Sequence, residues 1–133
     1  MKHLKQSIAV FALIAFSLTN LFAQSENTFK SLSVEEFAQQ IDSKKVIVVD
    51  VRTEKEFAEG HLKNAVNVVW SNTFDENLEK AKLKKRKTLA VYCRSGRRSK
   101  AAANVLVSKG YNVIELDKGI IAWTQAGKET VKD

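Results

Sequence analysis

The chain contains one cysteine, Cys93, in a segment whose sequence suits an ionised thiol. An apolar run ends at the cysteine, a short basic loop follows, and residues that favour a helix begin at Ser99. A strand, a tight loop and a helix N-terminus in this order form an anion cradle, because backbone N–H groups and the helix dipole point inward. Such a cradle stabilises a thiolate, so the sequence predicts a reactive Cys93 rather than a cysteine that only fills the core.

The loop after Cys93 offers groups that could bind an anion next to the sulfur. Its arginines carry positive charge that can attract and hold an anionic substrate. We expect Arg98, nearest the helix start, to matter most, Arg94 and Arg97 to be closer to solvent, and Ser99 to cap the helix. The predicted substrate-binding residues are therefore Arg94, Ser95, Gly96, Arg97, Arg98 and Ser99.

Four other polar residues fit pairing and helix capping better than catalysis. They are Asp50, Arg52, Glu56 and His61. A carboxylate–arginine pair among them would tie the loop after the second strand to the following helix. Trp123 is expected in the core. No metal site is expected, because the chain after residue 23 holds one cysteine and one distant histidine.

Hydrophobic patterning predicts strands that alternate with helices. The predicted strands are 29–32, 46–49, 65–69, 88–92 and 111–116; capping boxes open helices after Ser33 and Thr53, and further helices are predicted over 72–82, 99–109 and 119–126. The fold class is therefore α/β, with a mainly parallel sheet of about five strands and helices on both faces. Asp50, Cys93 and Asp117 follow strand ends and should share one edge of the sheet.

The N-terminus has the features of a secretory signal peptide. Lys2 and Lys5 precede an apolar stretch over 8–16, and Ala23 is the expected last residue before cleavage. An uncleaved anchor is the alternative, although the apolar stretch is shorter than the roughly 20 residues that span a membrane. We predict a signal peptide at 1–23, a flexible segment at 24–28, one domain at 29–126 and a C-terminal tail at 127–133. The mature protein would be exported, to the periplasm, with no membrane span.

The chain is basic, with a net charge of +7, of which two charges belong to Lys2 and Lys5. The densest basic run, 82–87, contains no aromatic residue, so it suits a solvated turn better than nucleic-acid binding. A single cysteine cannot form a disulfide within the chain. In an oxidising compartment it would therefore be a free thiol with a use.

Several motifs together resemble a single-domain rhodanese. They are Asp50-Val51-Arg52, Glu56, Gly60-His61-Leu62, the loop from Cys93 to Ser99, and Gly119 followed by Trp123. The resemblance covers about 29–126. It implies a rhodanese-like fold whose cysteine carries sulfur as a persulfide. It also implies transfer from an anionic donor such as thiosulfate to a thiophilic acceptor such as cyanide or a thiol, including a protein thiol, and we expect no cofactor.

Two other classes of function stay open from the sequence. The first is a sulfur carrier or redox-sensing module without turnover, because the same thiolate would serve it. The second is a phosphatase or arsenate reductase, whose signature is cysteine, five residues, then arginine. Here the position after five residues holds Ser99, so the signature fails.

Overall fold

The computed structural model describes residues 28–133. The predicted signal peptide at 1–23, and residues 24–27 of the predicted flexible segment, lie outside these described residues. Within 28–133, no helix is both long enough and apolar enough to cross a membrane.

One sheet of five parallel strands forms the centre of the fold. The strands are β1 (Lys30–Leu32), β2 (Val46–Asp50), β3 (Val66–Asn67), β4 (Thr88–Tyr92) and β5 (Asn112–Leu116). Their order in the sheet is β1-β5-β4-β2-β3, and every adjacent pair is parallel. β4 therefore lies in the middle, where a continuous apolar strand is buried on both faces. The predicted α/β fold class is confirmed.

Within residues 28–133, five helices cover the two faces of this sheet. They are α1 (Val34–Ile41), α2 (Glu54–Glu59), α3 (Phe74–Ala81), α4 (Arg97–Ser108) and α5 (Gly119–Gln125). One core lies between the sheet and α3 and α4, with Leu106 and Val91 among its buried members. A second core lies on the opposite face and contains Phe37 of α1 and Trp123 of α5, whose rings meet edge to face at 6.3 Å. The expected core position of Trp123 is confirmed.

Local sequence signals set several helix starts correctly. Ser33 and Thr53 both form complete capping boxes, with Glu36 and Glu56 as their reciprocal partners. Each box satisfies backbone N–H groups that would otherwise lack a partner at the start of the helix.

Three predicted boundaries differ from the structure by two residues, and the others agree to within one. β3 comprises only Val66–Asn67 rather than 65–69, although the chain stays beside β2 through a hydrogen bond from Trp70 N to Val51 O. α3 begins at Phe74 rather than at residue 72, because the Ser71 and Thr73 hydroxyls hold a turn before it. α4 begins at Arg97 rather than at Ser99. This last difference changes the geometry of the cysteine loop.

Candidate functional site

The sulfur of Cys93 lies at the carboxyl edge of the sheet, directly after β4, and its residue is 1% exposed. Gly96 adopts a φ of +104° and serves as the N-cap of α4, so only four residues separate the end of β4 from the start of α4. This turn points the N–H of Gly96 at the sulfur, 3.1 Å away. The predicted strand, loop and helix cradle therefore encloses the thiol.

The environment of Cys93 favours its ionised form. Burial of the sulfur opposes ionisation, but the hydrogen bonds that the sulfur accepts from the backbone N–H groups of Ser99, Gly96 and Ser95 favour the thiolate. The pKa of the Cys93 thiol is therefore lowered from its ordinary value. The result is a nucleophilic sulfur held in a ring of donors.

Two glycines allow the cysteine loop to pack against the backbone of the segment that follows β5. Gly119 has a φ of +65°, and a Cβ there would overlap the carbonyl of Arg94. A Cβ at Gly96 would overlap the carbonyl oxygen of Asp117. Ile120 N donates to the Cys93 carbonyl at 2.9 Å, which fixes the loop to the start of α5. These close backbone contacts hold the N–H groups in place around the sulfur.

Ser99 does not cap α4, which corrects the prediction from the sequence. It is the third residue of the helix, is fully buried, and uses its hydroxyl for side-chain contacts. The hydroxyl donates to Glu115 Oε2 at 2.5 Å and lies 3.3 Å from the Cys93 sulfur. Gly96 takes the N-cap position, because its left-handed conformation starts the helix two residues earlier. Ser99 therefore links the thiol to a carboxylate.

Glu115 is a site residue that the sequence analysis missed. Glu115 lies in β5 and is 0% exposed. Its carboxylate lies between Ser31, Ser99 and Lys100. Lys100 also binds Asp117, with Nζ 2.8 Å from Oδ1. A signal was present: Glu115 follows Val113 at the spacing of two that places both on one face of a strand, and that face is buried. A charge at such a position needs partners, and this one has them.

Arg98 is the loop arginine that is fixed by the fold. Its Nη1 and Nη2 bind the two carboxylate oxygens of Glu56 at 2.7 and 3.0 Å, which joins α4 to α2. This pairing with Arg98 lowers the pKa of Glu56 to about 2. The hydrogen bonds to Glu56, and to a smaller degree the charges of Glu56 and Cys93, raise the pKa of Arg98. Arg94 and Arg97 are exposed and form no ion pair with another of the residues 28–133. Ser95 is also exposed and contributes its N–H.

The expected carboxylate–arginine pair is formed by Asp50 and Arg52 on the other face of the sheet. Arg52 Nη2 lies 2.7 Å from Asp50 Oδ2 and donates to the Gly60 carbonyl at 2.7 Å, so the pair ties the end of β2 to the end of α2. Tyr92 donates its hydroxyl proton to Asp50 at 2.5 Å and accepts from Leu62 N. Burial raises the pKa of the Tyr92 phenol. This buried network fixes the end of β2 and the segment from Gly60 to Leu62 next to the end of β4.

His61 is buried, and its ring contacts Phe57 and the C-terminal tail. Its ring stacks on Phe57 with centroids 3.7 Å apart, and Nδ1 is 2.9 Å from the Phe57 carbonyl. Nε2 contacts Asp133, and the His61 backbone forms a β-bridge with Val131. These contacts fasten the C-terminal tail to the domain.

A shallow groove of about 290 Å³ adjoins the cysteine loop. Arg94 and Glu56 line one part of it, and Ile120 and Ile121 line another. Among residues 28–133, no cluster of three or more His, Cys, Asp or Glu is arranged to hold a metal ion. What the site can do follows from its one nucleophile: the sulfur can attack an electrophile and keep the product anion among its N–H donors.

The fold and site define an α/β protein with a reactive cysteine in an anion-binding loop at the carboxyl edge of a parallel sheet. The model of the Rhodanese-like domain family matches residues 33–126. The chain therefore belongs to the Rhodanese-like domain family.

Its relatives include proteins of different size and activity. An uncharacterized Synechocystis protein is 35% identical over 111 residues, which cover 83% of this chain and 60% of that protein. The tRNA uridine(34) hydroxylase of Yersinia enterocolitica is 33% identical over 103 residues, or 74% of this chain and 29% of the hydroxylase. The chain thus spans less than two thirds of the length of these relatives.

A solved structure supports the same fold. The rhodanese-related protein of Thermoplasma volcanium superposes with a TM-score of 0.70 and is 28% identical. The match covers 79% of this chain and 100% of the other.

Proposed function

We propose that this protein is a sulfurtransferase in which Cys93 carries sulfane sulfur as a persulfide. The observation that carries the proposal is the enclosure of the Cys93 sulfur by backbone N–H groups, one of them 3.1 Å away, at the start of a twelve-residue helix. Donors in this arrangement stabilise negative charge on sulfur before and after transfer. The donor is a small sulfur anion such as thiosulfate, and the acceptor is cyanide or a thiol, including a protein thiol.

The reaction proceeds in two displacements on sulfur. The Cys93 thiolate attacks the outer sulfur of thiosulfate, the S–S bond of the donor breaks, and sulfite leaves with the electron pair. Cys93 then holds a persulfide whose outer sulfur is electrophilic. Cyanide attacks that sulfur, thiocyanate leaves, and the Cys93 thiolate is restored. Because both steps use an ionised sulfur, the lowered pKa of Cys93 removes the need for a general base beside it.

The loop is less suited to phosphate or arsenate chemistry. Transfer of a phosphoryl group needs positive charge that closes around three equatorial oxygens. The position where an arginine would close the loop holds Ser99, whose hydroxyl binds Glu115. Arg98 lies one residue earlier and binds Glu56. A single sulfur needs less room and fewer donors than a phosphoryl group.

The test treats the mature protein with thiosulfate and measures its mass, alongside thiocyanate formation from thiosulfate and cyanide. We expect a gain of about 32 Da, the mass of one sulfur, which a reductant removes. The Cys93→Ser variant should keep the fold and lose both the mass gain and turnover. A mass gain without turnover by the wild type would instead indicate a carrier. Cys93-dependent hydrolysis of an aryl phosphate without sulfur transfer would overturn the proposal.

A further inference from the structure

Glu115 is a buried carboxylate for which the proposed reaction has no use. Its two oxygens are occupied: Oε1 accepts from Ser31 at 2.6 Å, and Oε2 accepts from Ser99 at 2.5 Å. Lys100 Nζ lies 3.3 Å from the carboxylate. A buried charge is costly, and an apolar residue in this central position would complete the neighbouring core without that cost.

The hydroxyl of Ser99 has only one hydrogen to share between two anions. It can donate to Glu115 or to an ionised Cys93, and its other capacity is to accept. With the carboxylate at 2.5 Å and the sulfur at 3.3 Å, the hydrogen belongs to Glu115. Ser99 then accepts from the Cys93 S–H, an arrangement that favours the thiol. Donation from Ser99 to the sulfur, which favours the thiolate, requires Glu115 to release that hydrogen.

We propose that Glu115 is a positioning residue that holds the Ser99 hydrogen away from Cys93 and so limits the acidity of the thiol. It touches neither the sulfur nor the donor, and it acts through Ser99. The use of a less acidic thiol rests on the proposed sulfur transfer, but the effect of Glu115 on the acidity of Cys93 does not. The backbone donors lower the pKa of Cys93, and Glu115 opposes part of that shift through the shared hydroxyl.

Limiting the acidity of the thiol increases its power as a nucleophile. The nucleophilicity of a thiolate falls as its pKa falls, and the best attacking thiol has a pKa near the surrounding pH. A cysteine among N–H donors at a helix N-terminus can become a weak nucleophile because it is too acidic. After sulfur is loaded, the charge moves to the outer sulfur, and the Ser99 hydrogen can stay on Glu115 without competition.

Other charges near Glu115 and Cys93 do not replace the effect of Glu115 on the thiol through Ser99. On the Glu115 side, Lys100 faces the carboxylate from α4 and also binds Asp117 after β5. On the Cys93 side, the charge of Arg98 interacts with that of Cys93, and Arg98 is paired with Glu56 of α2. Lys100 offsets much of the direct repulsion between the Glu115 carboxylate and a thiolate, since opposite charges in contact act as a dipole. The contact through Ser99 is therefore the main connection.

The test measures the rate of alkylation of Cys93 by iodoacetamide as a function of pH. Glu115→Gln offers an N–H₂ to Ser99 and frees the Ser99 hydrogen for the sulfur. We expect the midpoint of the profile to fall by about 1 pH unit, as expected from one added hydrogen bond to a charged group. The limiting rate at high pH should fall about threefold, because a more acidic thiolate is a weaker nucleophile.

The same measurement in a Ser99→Ala background separates the shared hydroxyl from simple charge repulsion. Without the hydroxyl, Glu115→Gln should shift the midpoint by much less. An equal shift in both backgrounds would show a direct charge effect and overturn the proposal, and so would an unchanged or raised midpoint in the single variant. Ser31→Ala removes the other hydroxyl on Glu115 without touching Cys93, and we expect a wild-type profile. A shift in that control as large as that of Glu115→Gln would also overturn the proposal.

The experiment stays informative if Glu115→Gln does not fold, as judged by its thermal unfolding. Glu115→Asp keeps the charge but withdraws it from Ser99, so the midpoint should again fall; an unchanged or raised midpoint would contradict the proposal. Alkylation uses no sulfur donor. The proposal can therefore fail while sulfur transfer is observed, or hold while sulfur transfer is absent.

Discussion

Arg98 has two roles that depend on the same guanidinium. Glu56 binds its two terminal nitrogens at 2.7 and 3.0 Å, which fixes the side chain beside the cysteine loop. The charge of Cys93 also acts on Arg98, since it contributes to raising the pKa of Arg98. Among the three loop arginines, Arg98 is therefore held in place, whereas Arg94 and Arg97 are exposed. A fixed cation near the sulfur orients an anionic donor with less loss of side-chain entropy.

Replacing Arg98 with alanine should weaken the use of thiosulfate more than replacing Arg94. We expect kcat/KM for thiosulfate to fall about 10- to 150-fold for Arg98→Ala, the range for a charge-assisted hydrogen bond of about 1.5–3 kcal/mol. Arg94→Ala should cost less, because Arg94 is exposed and no carboxylate among residues 28–133 holds its guanidinium in place. Steady-state kinetics with purified variants checks this, with thermal unfolding as a control for the lost Glu56 pair. Equal losses in the two variants would contradict the assignment.

The reactive cysteine could be predicted from the sequence, but its connection to Glu115 could not. A strand-like run, a basic loop with one glycine and a helix former are local signals, so Cys93 and its N–H donors follow from a short window. Ser99 and Glu115 are sixteen residues apart and meet only because α4 packs over β5. Their contact depends on where the helix starts. That start is set by the positive φ of Gly96, which composition does not reveal.

The Arg98–Glu56 pair between α4 and α2 should make the free energy of unfolding fall at acidic pH. The folded-state pKa of Glu56 is about 2, below its ordinary value of 4.5. A carboxyl whose pKa is lower in the folded state stabilises the fold above the unfolded pKa and loses that contribution as pH falls towards the folded pKa. The contribution is therefore complete above about pH 5 and declines between about pH 5 and pH 2.

The stability of Glu56→Gln should fall less than that of the wild type between about pH 5 and pH 2. At pH 7 we expect the variant to be less stable by about 1 kcal/mol, since the pair is partly exposed and screened by solvent. Towards pH 2 the difference between wild type and variant should shrink to near zero. Urea unfolding at a series of pH values measures this. Glu54→Gln removes an exposed acid from the same helix and should leave the window unchanged; a constant difference at all pH values would refute the role of Glu56.

The packing of the cysteine loop on α5 should tolerate no side chain at Gly119. A side chain at this position would be strained by the backbone φ of +65°. Its Cβ would also overlap the carbonyl group of Arg94. Gly127 has a similar φ of +79° but has no atom within 4 Å of the corresponding position. Gly127→Ala should cost about 1 kcal/mol from backbone strain alone. Gly119→Ala should cost about 3 kcal/mol or more, because the backbone must also move. Equal losses of unfolding free energy in the two variants would show that the contact with Arg94 is unimportant.

Elements with strong local signals were predicted well, and those that depend on distant contacts were not. The β-branched run before Asp50 and the capping boxes at Ser33 and Thr53 gave β2, α1 and α2 close to their observed bounds. β3 is shorter than its sequence pattern suggests, because it is an edge strand that pairs only with β2. Its length is set by that partner rather than by its own residues.

At the scale of the whole molecule, the sheet separates chemistry from support. The sulfur, Ser99 and Glu115 lie on the face covered by α4, and the network of Asp50, Arg52 and Tyr92 lies on the opposite face. The loops that follow β2, β4 and β5 meet at one edge because all strands run in parallel. The supporting network can therefore position the loops around Cys93 without placing a second charged group on the sulfur.

If the protein is exported, its single cysteine is a free thiol in an oxidising compartment, where it would need a use. The processing of the N-terminus tests the predicted export. Lys2 and Lys5, followed by the apolar stretch 8–16, predict that export removes residues 1–23. N-terminal sequencing of the protein from the periplasm of its native host should begin at Gln24. Ile14→Lys places a charge in the apolar stretch, so the variant should keep Met1 and stay in the cytoplasm. Wild-type protein with an intact Met1 in the membrane fraction would contradict cleavage and favour an uncleaved anchor.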